Sequence, residues 1–125
     1  MVDLSTQYLG MKLKNPVIAG SSGLTNSVKS IQDLEKSGAG AVVLKSIFEE
    51  EIAFEYEDIL KEASEEGVNL DQFDYYDFHI KGEKLDKYTA LIEESKKSVS
   101  IPVIASINCV YSHEWTSFAK QLQTA

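Results

Sequence analysis

The stretch Pro16-Val17-Ile18-Ala19-Gly20-Ser21-Ser22-Gly23 opens on four residues too short and too apolar for a surface helix and stops in a glycine-bounded polar turn. That is the pattern of a buried strand ending in a tight turn. A helix is expected next: Asn26 or Ser27 can cap its free amides, Val28, Ile31 and Leu34 share one face, and Gly38 supplies the stop. Ala41-Val42-Val43-Leu44 follows, apolar at consecutive positions as a strand covered on both faces must be, and ends at Lys45-Ser46. Pro16-Val17-Ile18-Ala19 then recurs as Pro102-Val103-Ile104-Ala105, which leads into Ser106-Ile107-Asn108-Cys109 as a second polar turn. Trp115, Phe118, Ala119 and Leu122 after it keep helical spacing and read as core.

Strand and helix therefore alternate. Such a chain builds a parallel sheet with right-handed crossovers, either an open doubly wound sheet or part of a (βα) barrel. In both, chemistry sits at the C-terminal ends of the strands. Upstream, Leu4 to Lys14 reads as a small hairpin over one end of the sheet. Leu85, Tyr88, Leu91, Ile92 and Val99 give residues 84–99 one apolar helical face.

With 125 residues the chain has the length of one domain, and its 43% hydrophobic and 26% charged content excludes a disordered or low-complexity polymer. Twelve lysines and no arginine stand against 20 acidic residues, a net charge of -8. That surface repels phosphate backbones and anionic lipid, so neither nucleic acid nor a membrane is an expected partner. The single Cys109 leaves no intrachain disulfide and no cysteine-based zinc site. The amino terminus lacks the basic and apolar regions of a signal peptide, and no apolar run approaches the ~18 residues of a membrane span, which suggests a cytoplasmic protein.

The acidity is local. Residues 48–83 hold 13 acidic side chains and only Lys61 and Lys81, and they read as an insertion between the second strand and its crossover helix. Ile52, Tyr56, Ile59, Leu60 and Ala63 put an amphipathic helix at 50–65, with a loop after it. Topology lays this segment above the C-terminal end of the sheet; a solvated decoration is the plainer reading, a substrate lid the sharper one.

Three polar clusters meet if the strands are parallel: Gly20-Ser21-Ser22, Lys45-Ser46, and Ser106 with Asn108. Gly20 lets backbone and a hydroxyl come close to a flat or anionic ligand, or it merely serves the turn. Lys45 either finds a ligand oxygen or snorkels into solvent. Asn108 offers two donors and an acceptor to the edge of a heteroaromatic ring, or caps the next helix. His79, on the loop before the second crossover helix, and His113, on the turn opening the third, lack partners at metal-ligand spacing. Gly38-Ala39-Gly40 precedes a strand, so it is no dinucleotide fingerprint.

Asn15-Pro16-Val17-Ile18-Ala19-Gly20-Ser21, Val43-Leu44-Lys45-Ser46 and Ile101-Pro102-Val103-Ile104-Ala105-Ser106-Ile107-Asn108 resemble the first three barrel strands of the dihydroorotate dehydrogenases, closest to the soluble class 1 branch and its dihydroorotate dehydrogenase-like relatives. Asn69-Leu70 and Phe73-Asp74-Tyr75-Tyr76 are similar to that family's substrate loop and the segment after it. The resemblance implies an α/β fold, the N-terminal portion of a TIM (βα)8 barrel with about three βα units, the hairpin and the acidic helical insertion. It implies FMN, and an oxidoreductase passing hydride from a small dihydropyrimidine such as dihydroorotate to the flavin in pyrimidine biosynthesis. Carried over, Gly20, Ser21, Lys45, Ser46 and Asn108 would bind the flavin, and Lys45 and Asn69 the substrate. The family's substrate loop has a Gly-Leu-Pro-Asn run, whereas this chain reads Gly67-Val68-Asn69-Leu70-Asp71. Its general base and its phosphate site come from later strands, so no catalytic residue is expected within 1–125.

A complete barrel needs about 250 residues, so the chain reads as a truncated one, expected to be inactive alone and to hold FMN weakly. Open sheet edges would leave room for homo-oligomers. The rival readings are an open-sheet nucleotide-binding domain, with phosphate at Gly20-Ser21-Ser22-Gly23, and a non-enzymatic interaction module docking through its acidic helix.

Overall fold

The computed structural model of the chain describes residues 2–48, 73–109 and 112–125. These fall into two compact units. The first comprises residues 1–46 and 90–106 with the final residue, and the second comprises 47–89 and 107–124.

The first unit opens with an antiparallel hairpin of β1 (Thr6–Tyr8) and β2 (Met11–Leu13), in which Thr6 faces Leu13 and Tyr8 faces Met11. Leu9 and Gly10 make its two-residue turn with φ of 50° and 77°. Positive φ at both positions matches the twist of paired strands, at no steric cost to Gly10 and at some cost to Leu9.

β3 (Ile18–Ala19), β4 (Ala41–Val43) and β6 (Val103–Ile104) form a parallel sheet in the order β3-β4-β6. Ile18 pairs with Ala41, and Val42 with Val103. A helix joins β3 to β4, α1 (Val28–Lys36), entered through a 3-10 turn at Gly23–Thr25. Of the two candidate caps it is Ser27 that serves, its hydroxyl accepting from the Ser30 amide. At the other end Gly38 takes a φ of 101°, which lets its own amide reach the Glu35 carbonyl and the Ala39 amide reach the Leu34 carbonyl. That paired closure requires a left-handed residue, and glycine adopts it without strain.

The core of this unit is Leu13, Ile31, Ala41, Val42 and Leu44, with Ile92 and Ile101. Only the central strand is buried as the apolar runs lead one to expect. Ile18, Ala19, Val103 and Ile104 are half-buried and Val17 is exposed. The run of apolar residues reports what a strand can bury, whereas the neighbours available decide what it does bury.

Asn15 ties the base of this sheet together: its Oδ1 accepts from the Val17 amide at 2.9 Å and its Nδ2 donates to the Gly38 carbonyl at 2.8 Å. Gly40 packs directly on it, for a Cβ there would collide with the Asn15 carbonyl oxygen and stand 2.8 Å from Oδ1.

The long helix α2 (Phe73–Ser98) begins eleven residues before the expected start at 84. The two prolines of the chain, Pro16 and Pro102, lie outside it, and its mid-helix Gly82 weakens a helix by only about 1 kcal/mol relative to alanine, so nothing stops the helix there. His79 is therefore helical rather than on a loop. Of the interval 48–83, Phe48 closes a strand and residues 73–83 belong to α2. The amphipathic helix expected at 50–65, and Asn69, lie outside the described residues. Leu85, Tyr88 and Ile92 are buried as their spacing requires, and Ser95 continues the same stripe.

In the second unit β5 (Ile47–Phe48) pairs in parallel with β7 (Ile107–Asn108), Ile47 facing Ile107 and Phe48 facing Asn108. Ile107 and Asn108 are thus strand, not the turn that the polar run suggested. Both strands are two residues long, below the length at which alternation is readable. α3 (Ser112–Gln123) follows, with Phe118 buried. Trp115, expected in the core, is 43% exposed and Ala119 is exposed. Helical spacing tells which residues share a face; it does not tell how far a covering element extends. Among the described residues no helix is long and apolar enough to cross a membrane.

Candidate functional site

Three strand ends of the first unit carry the polar clusters singled out in the sequence. Val43 pairs with Ile104, and three residues later the Ser46 hydroxyl meets that of Ser106 at 2.6 Å. Leu44 and Lys45 thus span the interval that Ala105 alone spans on the neighbouring strand. Two residues opposite one make a bulge, which ends regular pairing and re-aims the side chains around it. Backbone hydrogen bonds follow suit. The Leu44 amide still donates to the Ile104 carbonyl at 2.8 Å, but the Lys45 amide turns to the carbonyl of Thr25 at 3.1 Å. The Ser46 amide leaves backbone acceptors altogether and donates to Ser21 Oγ at 2.9 Å.

Thr25, fully buried, is the residue that sequence reasoning overlooked. Its hydroxyl donates to the Ser22 carbonyl and accepts from the Ser22 amide, closing a reciprocal cap with the Ser22 side chain. One element thereby shapes the Gly20-Ser21-Ser22 turn and anchors the backbone of Lys45. A Ser-x-x-Thr spacing just after a strand was the only available signal, and it is weak, because serine and threonine are common in every turn.

The side chains gather accordingly. Ser21 Oγ lies 3.1 Å from Ser46 Oγ, so the hydroxyls just beyond the ends of β3, β4 and β6 form one hydrogen-bonded row, Ser21–Ser46–Ser106. Leu44 is fully buried, while Lys45, next along the chain, is exposed. Within residues 19–22, 44–47 and 104–107 it is the only charged residue. Gly20 is exposed, and a Cβ there would meet nothing within 4 Å, so the space at this glycine is open. Glycine, three hydroxyls and a nearby lysine in the chain are groups that can donate to the carbonyls of a flat, oxygen-bearing ligand.

Of the expected residues, Gly20, Ser21, Lys45 and Ser46 stand at these neighbouring strand ends. Asn108 is exposed on β7 of the second unit, and Asn69 lies outside the described residues. The glycine-serine turn does not open straight onto a long helix: the 3-10 turn intervenes, and the free amides of α1 are met by Ser27. A phosphate held at a helix start, as the nucleotide-binding reading needs, has less support from this arrangement. Cys109 is buried and forms no disulfide. Among the described residues no group of three or more His, Cys, Asp or Glu side chains could hold a metal ion.

No protein-family model matches the chain. It is similar to the catalytic subunit of dihydroorotate dehydrogenase B (NAD(+)) from Thermoplasma acidophilum, 27% identical over 123 residues. The alignment takes in 98% of this chain and 38% of the length of that protein. The likeness supports a distant relation to the dihydroorotate dehydrogenases.

Proposed function

We propose that this chain forms the first strands of a flavin-dependent oxidoreductase of the dihydroorotate dehydrogenase kind, built on a (βα)8 barrel, and that Gly20, Ser21, Lys45 and Ser46 bind the ring system of FMN. The observation that carries this reading is the row of hydroxyls across three parallel strand ends, with Lys45 next to Ser46 in the chain and exposed, and open space at Gly20. C-terminal strand ends are where parallel α/β folds place their ligands.

The residues present fit the group. Gly20 leaves room for a planar ring against the backbone, where any side chain would stand in its place. The Ser21 and Ser46 hydroxyls can donate to or accept from ring heteroatoms. Lys45 would provide a positive charge that stabilises negative charge growing on a ring carbonyl edge as electrons arrive, and Thr25 holds its backbone through the Lys45 amide. When bound, FMN supplies the hydride acceptor, and the substrate class in this reading is a small dihydropyrimidine such as dihydroorotate.

Flavin fluorescence tests the reading. Titrating FMN with the 125-residue chain should give saturable quenching with a dissociation constant weaker than about 1 µM, and Lys45→Ala should weaken it about tenfold, the size of one lost charge-assisted hydrogen bond. No saturable quenching at a protein concentration of about 0.5 mM, or equal binding by Lys45→Ala, would overturn it.

A further inference from the structure

We infer that Thr25 is a positioning residue for Lys45: its hydroxyl fixes the turn after β3, and its carbonyl fixes the backbone from which the ammonium reaches a ligand. The inference rests on the flavin reading above and goes beyond it, because it assigns part of the affinity to a side chain that touches no ligand.

Alternation along β4 creates the need. Val42 and Leu44 donate their amides to the Pro102 and Ile104 carbonyls on the β6 side, at 3.0 and 2.8 Å. Lys45, one residue on, presents its amide to the other side, where β3 has already ended at Ala19. The acceptor it finds there is the Thr25 carbonyl at 3.1 Å. Thr25 is the last residue of the 3-10 turn Gly23–Thr25, so its carbonyl is among those that a helical turn leaves unused.

Where that carbonyl stands depends on the threonine side chain. Thr25 Oγ1 donates to the Ser22 carbonyl and accepts from the Ser22 amide, both at 3.1 Å, and the Thr25 amide donates to the same carbonyl at 3.1 Å. Thr25 is fully buried, so its hydroxyl has these bonds and not water to satisfy it. Valine in its place keeps the shape and loses the hydroxyl bonds. The turn then retains only the backbone bond to Ser22, and the Lys45 main chain gains freedom that ligand binding must remove. A loss that acts through the lysine has a signature: it vanishes once the ammonium is gone. A residue that merely supports the fold costs the same with or without that ammonium.

The test is the FMN dissociation constant, read by flavin fluorescence quenching, for the native chain, Thr25→Val, Lys45→Ala and the double variant, with thermal unfolding as a check on folding. Thr25→Val should weaken binding about threefold to tenfold in the native chain and less than about twofold in the Lys45→Ala background. Thr25→Ser, which keeps the hydroxyl, should stay within about twofold of the native chain. Thr25→Cys, small and a poor hydrogen-bonding partner, provides the same comparison if the valine variant does not fold. Equal losses in both backgrounds, unchanged affinity in Thr25→Val, or a serine variant as weak as the valine one would overturn the role of Thr25 while leaving the flavin site standing. Absence of binding by the native chain, or no loss in Lys45→Ala, would remove the proposed function and this inference with it.

Discussion

Glu35 and Ser100, 65 positions apart, are joined by two short hydrogen bonds to one carboxylate oxygen: Glu35 Oε1 accepts from the Ser100 amide at 2.7 Å and from its hydroxyl at 2.6 Å. The Ile101 amide adds a third at 3.2 Å. This carboxylate sits in the last turn of α1 and satisfies the backbone just before β6, at the opposite end of the sheet from the serine row. Its role is to hold a strand entry in place, not to bind a ligand.

Stability should report this contact through pH. The Ser100 hydroxyl and then its amide, with the Ile101 amide and the charge of Lys14, hold the Glu35 carboxyl below its ordinary value of 4.5. A lowered folded pKa contributes stability that is full above the unfolded value and is lost as pH falls through the folded one. The melting temperature should therefore hold between pH 7 and pH 5 and drop below about 4.5. Asp3, lowered by the Ser5 amide and hydroxyl, acts in the same direction. Glu35→Gln should lower the melting temperature at pH 7 and flatten the acid limb relative to the native chain; an acid limb of unchanged steepness would contradict this account.

Two glycines should respond in opposite ways to alanine. At Gly40 the new methyl would run into the Asn15 carbonyl, which is backbone and held by neighbouring hydrogen bonds, so we expect a loss of about 1–3 kcal/mol in urea unfolding. At Gly20 the methyl meets nothing and φ is not left-handed, so stability should stay level or rise by about 0.4–1 kcal/mol. Flavin affinity should nevertheless fall in Gly20→Ala, because the methyl occupies the space assigned to the ring. A Gly20→Ala chain that binds FMN as well as the native one would place the ring elsewhere.

Leu9 is 70% exposed and holds a φ of 50°. A branched side chain gains nothing there and bears the left-handed penalty, about 1–2 kcal/mol. Leu9→Asn, which tolerates that conformation and makes an Asn-Gly hairpin turn with Gly10, should stabilise the chain by about 1 kcal/mol in chemical denaturation. No gain would mean that the turn relaxes in solution.

Ser95 is fully buried on α2, and its hydroxyl has no hydrogen-bond partner among the described residues. An unsatisfied buried hydroxyl opposes folding, so Ser95→Ala should be neutral or stabilising by up to about 1 kcal/mol. A clear destabilisation would show that the hydroxyl is satisfied by an internal water.

What the residues alone determined is local. The hairpin at the amino terminus, a helix capped at Asn26 or Ser27 and closing at Gly38, a strand within Ala41–Leu44 and the buried positions Leu85, Tyr88 and Ile92 were legible, because capping, left-handed glycine and periodic burial act over a few residues. Of the proposed site, Ser21 and Ser46 could be placed at strand ends but not joined. Tertiary structure alone decided that two residues face one at Leu44–Lys45, that Thr25 holds the Lys45 backbone, and that Ser106 completes the hydroxyl row. It also carried Ile107–Asn108 into a strand and left Trp115 exposed. Those outcomes depend on the register between segments 20 to 61 positions apart, and a shift of one residue reverses which side chains meet. No local propensity carries that information.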